Sequence, residues 1–222
     1  MAYFTKEFND FFKELSQNNS TAWFHKNKKR YEEQVKEPFE DFVAEVISRM
    51  QKEDPDIKIL PKDAIFRINR DVRFSKNKMP YKLHVAAVVT RGGKKSRDYP
   101  GIFFHLGKDG IHIGGGLHRI EAEDIEKARR AISKNMKEFS SLVDDKVFKK
   151  KFGGLKGDKN KVVPAEFKND VEKQPYIANK EFYFMAEYKD PKTVLRDDLA
   201  DFIMDHYKAG SKLTKFLKDA IE

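Results

Sequence analysis

The run Phe66-Arg-Ile-Asn-Arg-Asp-Val-Arg-Phe-Ser-Lys-Asn-Lys-Met-Pro-Tyr-Lys82 carries the densest chemistry in this 222-residue chain. Arg67, Arg70 and Arg73 offer planar, two-pronged donors that match carboxylate and phosphate, whereas Lys76, Lys78 and Lys82 offer point charges. Only 11 of the 45 basic residues are Arg, so three at a spacing of three is a choice that a solubilising face does not need. The chemistry indicated is recognition of a phosphate- or carboxylate-bearing ligand, with Asp71 and Tyr81 inside the same run. In a catalytic version the cations stabilise developing negative charge and Asp71 or a histidine acts as base. No nucleophile–base pair is recognisable, so no catalytic residue is assigned. The plainer reading is that Asp71 pairs with one of the arginines and the other cations form a solvated face.

Counting charge by segment isolates this run. The chain holds 45 Lys+Arg against 36 Asp+Glu, a net +9. Ile65–Arg97 contains ten basic residues and one acid, Asp71, and the remainder is balanced at 35 against 35. One segment accounts for the whole excess.

The elements that position the run are read from periodicity. Thr5 is the expected N-cap of a helix with Phe8, Phe11, Phe12 and Leu15 on one face. Asn18-Asn19 breaks that pattern, and Ser20 caps a long helical stretch from Trp23 to Met50 in which Pro38 forces a kink or a division. The period then changes. Ile65–Phe74 alternates, with Phe66, Ile68, Val72 and Phe74 on one face, so Arg70 falls on an apolar side unless a bulge near Asn69–Asp71 displaces it. Leu83–Thr90, Gly101–Leu106 and Ile111–Gly114 complete an antiparallel meander, with a hairpin at Gly107-Lys108-Asp109-Gly110. Helix returns over Glu121–Phe139. Lys149–Asn169 is expected as loop, Glu181–Tyr188 as strand, and Leu195–Ile221 as an amphipathic helix or pair interrupted near Gly210. The fold class is α+β: an antiparallel sheet of about four to six strands flanked by N-terminal, central and C-terminal helices. A single domain spans 1–222, with a helical part (1–55), the basic β-meander (62–118) and a final helix–loop–strand–helix part (119–222).

Several classes are excluded or disfavoured. There is no Cys, hence no disulfide framework, thiolate metal site or thiol catalysis. No uncharged run approaches the roughly 20 residues of a membrane span. The first residues lack a basic region followed by an apolar stretch, so a cytoplasmic setting is expected. No cofactor or metal is indicated. His84, His105, His112 and His118 lie in or beside the meander, with His105 and His112 facing each other across the hairpin, but no metal-ligand spacing accompanies them. Gly114-Gly115-Gly116 is a weak phosphate-loop signal that reads better as a bend at a strand end. Arg129 shares a helix face with Ile125, Ile132 and Met136, and is placed with the arginines of the basic run if helix and sheet pack together. Trp23 is expected to pack the second helical stretch on the first.

Asn18-Asn19…Trp23-Phe24…Tyr31, the long run from Phe66 to Lys82, Gly114-Gly-Gly-Leu-His118 and Arg129-x-x-Ile132 together resemble a bacterial family of uncharacterised proteins, domain of unknown function 2461, also present in some fungi. The resemblance covers almost the whole chain. The family motif reads Ser-Lys-Asp-Lys where this chain has Ser75-Lys-Asn77-Lys, so no acid stands there. It implies no activity.

Three readings of the basic run follow. The first is a site for a small anionic ligand, with or without enzymatic activity, built from Arg67, Arg70, Asp71, Arg73, Lys76, Lys78, Tyr81, Lys82 and Arg129. The second is nucleic-acid attachment through a basic strand–loop–strand unit with Phe74 and Tyr81 interleaved. The third is a structural or protein-interaction module. A small deep pocket favours the first and a flat exposed basic surface the second.

Overall fold

The computed structural model describes residues 2–95 and 101–222. Its sheet has four strands, β1 (His84–Val89), β2 (Ile102–Gly107), β3 (Gly110–Leu117) and β4 (Phe182–Tyr188), hydrogen-bonded in sequence order as an antiparallel meander. Helices precede it, lie between β3 and β4, and follow it. By compactness the chain divides into two units. The first comprises Met1–Lys95, Phe103–Ile113 and Glu187–Met204, and the second Ser96–Ile102, Gly114–Ala186 and Asp205–Glu222.

The first unit is built on phenylalanine. The helix Lys6–Gln17 buries Phe8, Phe11, Phe12 and Leu15, the set its spacing predicts. Ser20 caps Thr21–Lys26 by accepting from the Trp23 N–H at 3.3 Å. Trp23 packs on Phe11 with ring centroids 5.6 Å apart, so the only Trp joins the second helical stretch to the first. Pro38 neither breaks nor ends the helix. A π-helical turn over Glu32–Lys36 precedes it, and Pro38 falls in the first turn of Glu37–Glu53. The wider turn accommodates the missing N–H. From that helix Phe39 and Phe42 meet Phe104 of β2 edge-on.

Ile65–Phe74 does not form the expected strand. It pairs only at isolated antiparallel bridges, Ile65 with Ala87 of β1 and Asn69 with Tyr81 just before that strand. Four residue steps on one side face six on the other, so the irregularity sits on the Tyr81–Ala87 side rather than near Asn69–Asp71. A ladder with that mismatch cannot continue as regular strand. The chain beyond Asn69 leaves as an arm and returns at Tyr81.

The second unit packs around Phe184 of β4. Phe148 and Phe152 meet its ring at 5.1 and 4.6 Å. These two residues belong to the helix Lys146–Phe152, which begins just before the stretch expected to be loop and occupies its first part. Asp145 caps it by accepting from the N–H groups of Val147 and Phe148, and Gly153 ends it at φ 74°. Dense lysine concealed an i,i+4 aromatic pair. The Glu121–Phe139 helix divides at Asn135 into Ala122–Lys134 and Met136–Val143.

The terminal helix Leu199–Ile221 runs without interruption through Gly210. A Cβ at Gly210 would stand 2.5 Å from the Phe184 ring, so glycine is there for close approach, not for a break. Gly210→Ala replaces a poor helix former by the best one, a gain of about 1 kcal/mol by propensity. The clash reverses the sign, and a net loss of about 1–3 kcal/mol is expected. Thermal unfolding reads it as a lower Tm.

Candidate functional site: a braced basic arm

The arm Arg70–Pro80 is held by its own polar groups. The Arg70 N–H donates to the Pro80 carbonyl at 2.8 Å. The Arg70 guanidinium is half-buried and donates through Nη1 to the Met79 carbonyl at 3.0 Å, with Nη2 3.5 Å from Ser75 Oγ. This answers the cost of placing Arg70 among apolar neighbours, since its N–H groups meet a carbonyl and a hydroxyl. Lys78 Nζ donates to the carbonyls of Val72 and Arg73 at 3.0 and 3.4 Å. Asn77, where the family motif has an acid, accepts from the Met79 N–H at 2.9 Å. Arg73 grips Asp71 with Nε and Nη2 at 3.0 and 2.7 Å, which holds the Asp71 carboxyl below its ordinary range. A carboxylate so engaged is a poor general base.

The return leg is anchored. Asn19 Nδ2 donates to the Tyr81 carbonyl at 3.0 Å, and the Tyr81 N–H donates to Asn19 Oδ1 at 3.1 Å. One side-chain amide thus pairs both backbone groups of Tyr81, as a neighbouring strand would. The Tyr81 ring is 5 % exposed and stacks on Phe24 at 4.0 Å and 14°. Tyr81 therefore positions the arm and offers no ring face to a ligand.

At the base of the arm two cations stand together. Lys82 Nζ donates to the Arg67 carbonyl at 2.8 Å and lies 5.7 Å from the Phe66 ring centre. Burial, and then the Arg67 charge, push the Lys82 pKa down. Arg67 is exposed, and neither it nor Lys82 has an ion pair among the described residues. Lys76 is likewise exposed. Elsewhere in the basic segment, Arg91 pairs with Asp54 and Asp56, and Lys94 Nζ donates to the Lys62 and Ile65 carbonyls. Arg97 lies outside the described residues.

Arg129 belongs to the second unit and is 6 % exposed. Nε donates to the Ile177 carbonyl at 2.8 Å and Nη2 to the Asn179 carbonyl at 3.0 Å. Its fork ties the central helix to the segment before β4, and desolvation lowers its pKa.

A family model described as a conserved hypothetical protein, DUF2461, matches residues 7–216. The chain belongs to that family. No curated protein and no solved structure matches it. The match spans both the Asn19–Tyr81 clamp and the arm. Asn19 and Phe24 meet Tyr81, which is 62 positions beyond Asn19, in one anchor. Membership adds no activity. No helix among the described residues is long and apolar enough to cross a membrane.

The family's glycine run does not make a phosphate loop here. Strand β3 continues through it to Leu117. A Cβ at Gly114 would lie 2.3 Å from the Phe184 carbonyl oxygen, and one at Gly116, where φ is 90°, 2.3 Å from that of Phe182. The space that side chains would fill is taken by β4.

The meander histidines form a row. His105 and His112 face each other with ring centres 4.1 Å apart, and His84 stacks on the other face of His105 at 4.3 Å. The described residues contain no group of three or more His, Asp or Glu arranged to hold a metal. Burial, followed by the charges of Lys82 and His112, lowers the His84 pKa to about 4. Burial, followed by His84 and His112, lowers that of His105 to about 3.

Sequence reasoning missed one residue of this site and misplaced another. Asn19 stands in the resemblance with no role, and its signal is an amide beside a helix break, free to pair with a distant backbone. Phe74, interleaved with the cations in the nucleic-acid reading, is expected on an apolar strand face, whereas it is 96 % exposed. Its signal is the surrounding Arg-Phe-Ser-Lys and the turn-rich stretch to Pro80.

Two outcomes are expected. Asn19→Ala leaves the Tyr81 N–H and carbonyl without partners and lowers stability by about 1–3 kcal/mol, with faster hydrogen exchange at the Tyr81 amide. The exposed neighbour Asn18, changed to Ala, shifts stability by under about 0.5 kcal/mol. His84 and His105 are neutral in the fold, while the unfolded chain takes up protons near the ordinary pKa of about 6.5. Their contribution is complete above that pH and is lost as pH falls through about 4 and about 3. His105→Phe is therefore expected to flatten the fall in Tm between pH 7 and pH 4, followed by circular dichroism.

Proposed function

We propose that this protein binds an anionic partner through Arg67, Arg73, Lys76 and Lys82, and that the partner is an extended polyanion, nucleic acid, laid along the arm and its base. The observation that carries the reading is the Arg67–Lys82 pair. Lys82 Nζ sits 2.8 Å from the Arg67 carbonyl, its pKa lowered first by burial and then by the Arg67 charge, and neither cation has an ion pair among the described residues. Such an arrangement costs stability and gains most when an anion arrives.

The extended partner is favoured over a small enclosed one by where the remaining groups point. Arg70 and Lys78 are turned to the arm's own carbonyls, and Arg73 is shared with Asp71. Two grooves among the described residues lie elsewhere: one of about 420 Å³ beside Asn135 and Phe216, another of about 520 Å³ beside Asn27 and Arg30. The arm itself is exposed over most of its length, which suits attachment to phosphates along a surface.

The test is fluorescence anisotropy of a labelled mixed-sequence oligonucleotide over a series of salt concentrations. The logarithm of affinity is expected to fall linearly with that of salt, by about 0.7–0.9 per phosphate neutralised. Arg67→Ala and Lys76→Ala should each remove about one such increment. Absence of binding at physiological salt, or unchanged slopes in both variants, overturns the proposal. Tight calorimetric binding of inorganic pyrophosphate without oligonucleotide binding returns the small-ligand reading.

A further inference from the structure

The arm displays an aromatic ring where water would normally exclude one. Phe74 is 96 % exposed and Met79 43 %. Neither is there for want of order, because Arg70, Lys78, the Arg73–Asp71 pair and the Asn77 turn brace the arm from within. A braced loop that holds a phenylalanine in solvent keeps a contact surface ready at low ordering cost. Single exposed apolar side chains are common. This one differs in its company: the Arg73 guanidinium lies 5.8 Å from its ring centre, and Lys76 follows two residues on. The same pairing recurs at the base of the arm, where Lys82 lies 5.7 Å from the ring centre of half-buried Phe66. Phe66 in turn is 6.4 Å from Phe103.

Ring beside cation, twice along one polar element, is the complement of a polymer whose planar groups alternate with phosphates. Duplex nucleic acid hides its base faces, but a single strand presents them. We infer that the arm is a single-strand nucleic-acid reader in which Phe74 stacks on an unpaired base while Arg67, Arg73, Lys76 and Lys82 hold the flanking phosphates. This rests on the polyanion reading above and adds the strandedness and the stacking residue. An anionic membrane surface would also accept an aromatic flanked by cations. One phenylalanine and a partly exposed methionine supply little apolar area for that, because stable anchoring takes a larger buried face or an acyl chain beside the basic patch.

The experiment uses the full chain with three Phe74 variants, none of which disturbs the core because the side chain is solvent-exposed. Phe74→Leu keeps apolar bulk and removes the π-face. It is expected to weaken binding of a single-stranded oligothymidylate by roughly 5- to 150-fold while leaving the salt slope and duplex binding unchanged. Phe74→Tyr should bind like the parent. Phe74→Trp supplies a reporter: its emission should be quenched by the oligothymidylate and unaffected by phosphatidylserine vesicles. Parent-like binding by Phe74→Leu overturns the stacking role. A blue shift on vesicles without quenching by the oligonucleotide overturns it in favour of a membrane. If the parent protein shows no salt-dependent binding to either nucleic-acid form, the polyanion reading has failed. If it binds both forms equally and Phe74→Leu changes neither, only the present inference has.

Discussion

One side-chain amide holds the arm in place. Asn19 lies just before the second helix and pairs both peptide groups of Tyr81, while Phe24 of that helix covers the Tyr81 ring. The contact joins residues 62 positions apart. It fixes where the irregular stretch from Arg70 to Pro80 returns to β1. The N–H groups of Arg70 and Lys82, which donate to the Pro80 and Ile68 carbonyls, close the base of the arm beside it. Phe11 and Tyr31 pack on Phe24, and Trp23 packs on Phe11, so the helix that follows Asn19 is held to the first helix. The N-terminal helices thus orient a basic element that begins more than forty residues later.

The charge of the arm divides by role. Arg70 and Lys78 neutralise carbonyls and give a coreless loop its shape. Arg73 is shared between an acid on the same loop and an exposed ring. Arg67 and Lys76 are exposed and half-buried Lys82 is tied to the Arg67 carbonyl, all three without an ion pair among the described residues. The preference for arginine over lysine at 67, 70 and 73 therefore has more than one cause. At Arg70 the planar fork reaches the Met79 carbonyl and approaches the Ser75 hydroxyl; at Arg73 it matches a carboxylate in two places.

The second unit illustrates the opposite use of small residues. Gly114, Gly116 and Gly210 leave room for β4 and the Phe184 ring. Motifs rich in glycine invite a ligand reading, yet here every displaced volume is filled by the chain itself. Arg129 follows the same logic, its guanidinium donating to two backbone carbonyls of the chain itself. Sequence pattern could bring Arg129 to the sheet-facing side of its helix. It could not say which acceptors would be waiting.

What was legible in the sequence was whatever depends on near neighbours. Helical spacing of Phe8, Phe11, Phe12 and Leu15, the Ser20 cap, and the hairpin that opposes His105 to His112 all follow from local geometry. So do the α+β class, the family membership and the location of the charge excess. Alternation suggests a strand at Ile65–Phe74, and lysine density suggests a loop over Lys149–Asn169, the start of which instead completes the helix that carries Phe148 and Phe152. The strand, and the start of the loop, differ because register and burial are set by partners distant in the chain. The exposure of Phe74, the burial of Tyr81 and the inward turn of Arg70 were decided only by tertiary structure. Each depends on whether a remote group, a ring, an amide or a carbonyl, arrives within contact distance, and no spacing along the chain encodes that arrival.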